Sequence, residues 1–120
     1  MVLVDTSVWV SHFRRTNSRL EYLLSEGSVH CHPLVIGELA CGNLRNRNEI
    51  FSLLQELPAA VTATEEDVFI YIERHRLMGK GLGIVDIHLL ASASLSGLTV
   101  WTEDRVMNRI ARELKLAYSS

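Results

Sequence analysis

Four acids in this sequence stand where chemistry is possible: Asp5, Glu38, Asp86 and Asp104. Asp5 closes the apolar run Val2-Leu3-Val4, and Asp86 and Asp104 also sit where an apolar run meets the start of a helical pattern. Glu38 lies among Leu34, Ile36, Leu39 and Ala40 in a short helix. In open α/β sheets the crevice at the carboxyl ends of the strands is where ligands bind. Carboxylates crowded there repel one another and stay ionised together only beside a cation. A hard divalent ion, Mg²⁺ or Mn²⁺, meets that need because it takes oxygen ligands and keeps several waters; the lack of a His or Cys cluster argues against zinc. Such an ion orients water for attack on a phosphodiester and stabilises the charge that develops on its oxygens. These residue types therefore point to metal-dependent phosphodiester hydrolysis.

Each acid also has a plainer use. Asp86 and Asp104 are placed to cap helices, and Glu38 to be solvated. Asp5 is harder to explain away, because a charge that ends a buried strand is costly without a partner. His30, His32 and His88 are expected as hydrogen-bonded structural residues rather than proton carriers, with His12 and His75 at the surface. Arg14, Arg15 and Lys80 are candidates for contacts with substrate phosphates, since a phosphodiester bound beside a cluster of acids needs cations close by. Trp9 and Phe13 are expected either in the core or as an apolar patch for a partner helix.

The elements that must position these groups alternate between two periods. Strands are expected at Val2–Asp5, Val29–His32, Ala60–Thr62 and Leu98–Thr102, with an edge strand at Leu116–Tyr118. Helices are expected at Ser7–Phe13, Ser18–Ser25, Pro33–Cys41, Asn46–Leu57, Thr64–Met78, Asp86–Ser96 and Arg105–Leu114, with Gly27, Gly42 and Gly97 as stops. The helix after Asp86 is nearly apolar all round and should be buried. Gly79-Lys80-Gly81-Leu82-Gly83 reads as a flexible connection into it. Strand and helix in repeated alternation predict an α/β fold: one domain over 1–120, with a central, mostly parallel sheet of four to five strands and helices on both faces.

Composition bounds the rest. A chain of 120 residues, 48% hydrophobic and 22% charged, can fill one core and not two. The formal charge of −2 gives no sign of a nucleic-acid binder, but setting the four acids aside leaves 12 Lys and Arg against 10 other acids. Cys31 and Cys41 are expected as reduced core residues. The apolar start has no basic region before it and contains Asp5, so no secretory leader is expected, and no run is long enough for a membrane span. A cytoplasmic protein is expected.

Four segments, taken in order, resemble the PIN-domain ribonucleases, and most closely the VapC toxin branch of type II toxin–antitoxin systems. They are Val4-Asp5-Thr6-Ser7-Val8-Trp9, Ile36-Gly37-Glu38-Leu39-Ala40-Cys41-Gly42, Val85-Asp86-Ile87-His88-Leu89-Leu90-Ala91-Ser92-Ala93 and Trp101-Thr102-Glu103-Asp104. The resemblance implies a Mg²⁺- or Mn²⁺-dependent endoribonuclease acting on structured RNA of the transfer or ribosomal class. It also implies inhibition by a cognate VapB-like antitoxin, and a homodimer. The family's acidic quartet falls on Asp5, Glu38, Asp86 and Asp104, with Asp5, Asp86 and Asp104 as metal ligands and Thr6, Ser7 and Thr102 in support. His88 and Arg105-Val106-Met107 depart from the commoner pattern without touching an acid. A catalytically silent PIN-like binding module would be expected to have lost one or more of the acids. A receiver-like phosphotransfer domain needs an acidic pair after its first strand, where Asp5 stands alone.

Overall fold

The computed structural model describes residues 1–119, and within them seven helices surround a parallel sheet of three strands. The central strand, β1 (Val2–Val4), is buried along its whole length, as the unbroken apolar run requires of a strand covered on both faces. It pairs with β2 (Val29–His30) on one side and β3 (Thr99–Trp101) on the other. The registers are Val2 to Val29 and Val2 to Thr99. The chain builds β2 beside β1 and then returns across the sheet to add β3 on the other edge, so the strand order reverses between β1 and β3. That reversal opens a crevice at their carboxyl ends.

The expected count of four to five strands is corrected to three. The segment around Ala60 touches the sheet only through a bridge between Cys31 and Ala59. Its next amides turn elsewhere: Val61 donates to Ser96 Oγ at 2.8 Å and Ala63 to Ser92 Oγ at 3.1 Å, so helix hydroxyls replace a strand ladder. At the opposite edge, Ala117 alone bridges to Val100. The N–H of Leu116 is already used by the carbonyl of Ala111 at 2.7 Å, where Lys115 turns the chain at φ 61°.

The helices are α1 (Thr6–Arg14), α2 (Ser18–Ser25), α3 (Pro33–Ala40), α4 (Arg47–Glu56), α5 (Glu65–His75), α6 (Ile84–Ser96) and α7 (Arg105–Glu113). Asn17 caps α2 by accepting from the Leu20 N–H, as the polar break before that helix predicts. Thr64 and Asp67 form a capping box at α5, which ends early because Arg76 adopts the left-handed conformation. Helix α6 runs through the core, with Leu89, Leu90 and Ala93 fully buried. It starts two residues before the expected position, so Asp86 is its third residue rather than its cap. Among the described residues no helix is long and apolar enough to cross a membrane.

Both cysteines are free thiols, but only Cys31 is buried. Cys41 was expected in the core and is exposed, because it follows the last turn of α3, where the chain has already left the sheet. Trp9 is core, stacked on half-buried Phe13.

Candidate functional site

Asp5 leaves β1 as the residue before α1, yet its side chain does not cap that helix. Its backbone makes the turn: the N–H donates to the Trp101 carbonyl, and the Asp5 carbonyl accepts from Val8 and Trp9. The carboxylate is thereby freed for other partners. It is 6% exposed, and its Oδ2 accepts from Ser7 Oγ and from Thr102 Oγ1, each at 2.8 Å. Two hydroxyls supply the partner that a buried charge needs, and both fall on one oxygen. Among the described residues no side-chain donor is bonded to Oδ1.

The same two hydroxyls hold the turn between β3 and α7. Thr102 Oγ1 accepts from the Asp104 N–H at 3.0 Å, and Ser7 Oγ accepts from the Glu103 N–H at 3.0 Å. Each hydroxyl thus takes a backbone N–H from the turn and passes its own proton to Asp5. One turn farther along α1, Ser11 Oγ donates to Glu103 Oε1 at 2.5 Å. The pair Ser11 and Glu103 was not foreseen. The i, i+4 spacing of Ser7 and Ser11 on one helix face was the available signal.

Asp104 is exposed at the start of α7, where its Oδ1 accepts from the Met107 N–H at 2.8 Å. The capping use is therefore real, and it occupies one oxygen of the two. Glu38 is exposed on α3, and its Oε1 accepts from Thr6 Oγ1 at 2.6 Å. That bond ties α3 to the first residue of α1, beside Asp5. Asp86 Oδ2 accepts from the Gly83 N–H at 3.1 Å. Its carboxyl is pushed above the usual carboxylate range, first by burial and then by the negative charges of Asp5, Asp104 and Glu38, against the pull of the Gly83 N–H.

All four expected acids thus share one electrostatic neighbourhood centred on Asp86, and Thr6, Ser7 and Thr102 bind two of them directly. They are not packed into a closed cage. Among the described residues no three His, Cys, Asp or Glu side chains are already gathered closely enough to hold a metal ion. The donor set still suits a hard divalent ion: it is all carboxylate and hydroxyl, it is mutually repulsive, and Mg²⁺ is commonly held by one or two carboxylates with waters completing the shell. Zinc, which favours closed sets of nitrogen and sulfur ligands, does not fit.

The three expected phosphate contacts separate. Lys80 is exposed on the glycine loop that leads to Asp86. Arg14 and Arg15 are exposed at the far end of α1, about 12 Å along the helix from Thr6. Arg14 there lines a cavity of about 670 Å³, together with Val10, Phe13, Leu44 and Arg45. This cavity is not at the acids. His32 is a buried structural residue whose Nδ1 accepts from the Leu34 N–H at the start of α3, while Nε2 pairs with Ser92 Oγ. Burial, and then the charge of His88, lower its pKa. His30 and His88 depart from the expectation, since each has a buried Nδ1 with no hydrogen-bond partner among the described residues.

The profile of the PIN domain family matches residues 2–113. Ribonuclease VapC32 of Mycobacterium tuberculosis is 42% identical over 118 residues, which are 98% of this chain and 95% of that protein. Two solved structures share the fold. PAE2754 from Pyrobaculum aerophilum superposes with a TM-score of 0.62 at 17% identity, over 90% of this chain and 77% of that one. FitAcB from Neisseria gonorrhoeae superposes with a TM-score of 0.58 at 21% identity, over 93% and 94% of the two chains.

Proposed function

The chain belongs to the PIN-domain family, in its VapC branch, and from that premise we propose that it is the endoribonuclease toxin of a type II toxin–antitoxin system. Its substrate is structured RNA of the transfer or ribosomal class. Its cofactor is Mg²⁺ or Mn²⁺, its inhibitor a VapB-like antitoxin, and its working form a homodimer in the cytoplasm. The relative VapC32 is a ribonuclease by name, and that activity is carried over to this chain. The observation that carries the reading is the gathering of Asp5, Glu38 and Asp104 around Asp86, whose pKa is raised first by burial and then by those three charges, a repulsion that a bound cation would relieve.

Asp5, Asp86 and Asp104 would hold the ion, which when bound supplies Lewis-acid stabilisation of the phosphoryl oxygens and water of lowered pKa. The chain does the rest. Ser7 and Thr102 fix Asp5 through Oδ2, so that Asp5 would meet the ion with its orientation already set. Thr6 fixes Glu38 through Oε1, so Oε2 is the atom that orients the attacking water and takes its proton. Ionised Asp86 would complete the carboxylate set that holds the cation, and the cation would neutralise the scissile phosphate.

Purified protein is expected to cleave transfer or ribosomal RNA with Mg²⁺ or Mn²⁺ and to stop when a chelator is in excess. Cleavage that continues unchanged in chelator would reject the metal assignment. Thr102→Val keeps the side-chain shape and removes one donor to Asp5 along with the acceptor for the Asp104 N–H. We expect it to lower the cleavage rate by roughly 10- to 100-fold, the usual effect of losing a group that orients a metal ligand, with the fold retained. Rates within twofold of the parent at every Mg²⁺ concentration would show that Ser7 alone suffices.

A further inference from the structure

Helix α7 begins at the site, with Asp104 as its cap and Arg105 as its first residue. Arg105, Arg109 and Arg112 follow the i, i+4, i+7 spacing, which sets them within about 60° of one another around the helix and about 10.5 Å from first to last. All three are exposed. The opposite face, Met107, Ile110 and Ala111, is buried at 2% exposure or less, so packing fixes the arginines outward. Residues 105–115 hold four of the chain's 12 Lys and Arg and one of its 14 acids, a local excess of cations in a chain of net charge −2.

A second element brings another cation to the same ridge. A Cβ on Gly81 would lie 3.7 Å from Val106 Cγ1, so the loop packs on the first turn of α7, and Gly81 turns at φ +84°. Two residues later the same loop donates from Gly83 to Asp86. Lys80, exposed and next to Gly81, therefore sits on a loop that packs on the first turn of α7 and leads to Asp86. Two other arginines have internal duties: Arg19 donates to Tyr118 Oη and lies over two tyrosine rings, and Arg47 donates to the Ala40 and Gly42 carbonyls while stacked on Phe51.

We propose that Arg105, Arg109 and Arg112, with Lys80, bind the phosphates of the RNA strand beside the scissile bond, so that the substrate leaves the acids along α7. This deepens the nuclease reading and rests on it for the identity of the strand. Guanidinium forks match phosphate oxygens bidentately, and such contacts fix the register of the strand without reading its bases. The ridge thus gives position, and sequence preference has to come from another surface.

The test uses the full chain and the variant Arg105→Gln/Arg109→Gln/Arg112→Gln, with a fluorescent single-stranded RNA of about 20 nucleotides bound in chelator. We expect affinity to fall about 30- to 100-fold at low salt, and the slope of log K against log salt to shrink by about 2, near 0.7 per lost phosphate contact. The melting temperature should not move, because the three side chains face solvent. The variants Arg109→Gln and Lys80→Gln, tested singly, should each give a part of the effect. Unchanged affinity and slope in the triple variant would overturn the proposal. So would an oligoglutamate of equal charge that competes as well as RNA, which would assign the ridge to an acidic partner. Cleavage with Mg²⁺ is scored separately. Ridge-dependent binding without any cleavage keeps the ridge and removes the nuclease reading, and cleavage with ridge-independent binding does the reverse.

Discussion

Asp5→Asn is expected to reduce RNA cleavage by at least about 100-fold while leaving the protein folded, and to remove growth inhibition on expression. The size follows from the place of Asp5 in the structure. It is the one buried carboxylate of the four, and both hydroxyls that link β1 to the β3–α7 turn converge on it. Asn has the same volume and keeps one oxygen to accept from Ser7 and Thr102, so the local network survives. What is lost is the charge, and with it the attraction for a divalent ion. A folded Asp5→Asn protein that cleaves RNA at the parent rate would remove Asp5 from the reaction.

Asp86→Asn should separate activity from stability. The folded-state pKa of Asp86 is raised, so its ionised form is disfavoured by the fold. The linkage therefore has a definite sign: the stability tied to protonated Asp86 is present below its ordinary value near 3.8 and is lost as the pH rises through the raised value. In chelator at neutral pH, Asp86→Asn is expected to melt a few degrees above the parent, since Asn keeps an acceptor for the Gly83 N–H and discards the repelled charge. The gap should close as the pH falls through the raised pKa, where the parent takes up its proton. Mg²⁺ should then stabilise the parent and not the variant. A concentration a hundred times Kd contributes about 2.7 kcal/mol, roughly 10 °C for a domain of this size. Equal Mg²⁺ shifts in both proteins would place the ion away from Asp86. A variant that melts below the parent throughout the pH range would show that the carboxylate stabilises the fold.

Activity and stability pull in opposite directions at such a site. Acids that repel one another cost a fold stability, and a bound cation would offset that cost. The arrangement at Asp86 has that character, whereas Asp104 reconciles both demands by giving Oδ1 to the cap of α7. Asp5 solves the problem a third way, by concentrating its hydroxyl donors on a single oxygen.

The sequence alone determined the identities of the acids, the α/β alternation, and the burial of the helix that follows Asp86, because each is written in local pattern. An apolar run that ends at Asp5 reports burial and charge together. The missing polar face of α6 reports a core helix. The order of the four motifs was sufficient to mark the family, which the match over residues 2–113 then showed.

Only the tertiary structure decided which hydroxyl meets which acid. Thr102 and Asp5 are 97 positions apart, and Thr6 and Glu38 are 32 apart; both bonds depend on the register of β1 against β3 and on the packing of α3 beside α1. Periodicity carries no information about register between distant segments. The same limit explains the reduced strand count, since Ala60 to Ala63 have strand-like composition but, after Ala60 donates to the Cys31 carbonyl, the amides of Val61 and Ala63 are taken by Ser96 and Ser92 of α6. It also explains the arginine ridge: the i, i+4, i+7 spacing was visible in the chain, but only the packing of the opposite face of α7 against the core showed that the ridge starts at the acids and points to solvent.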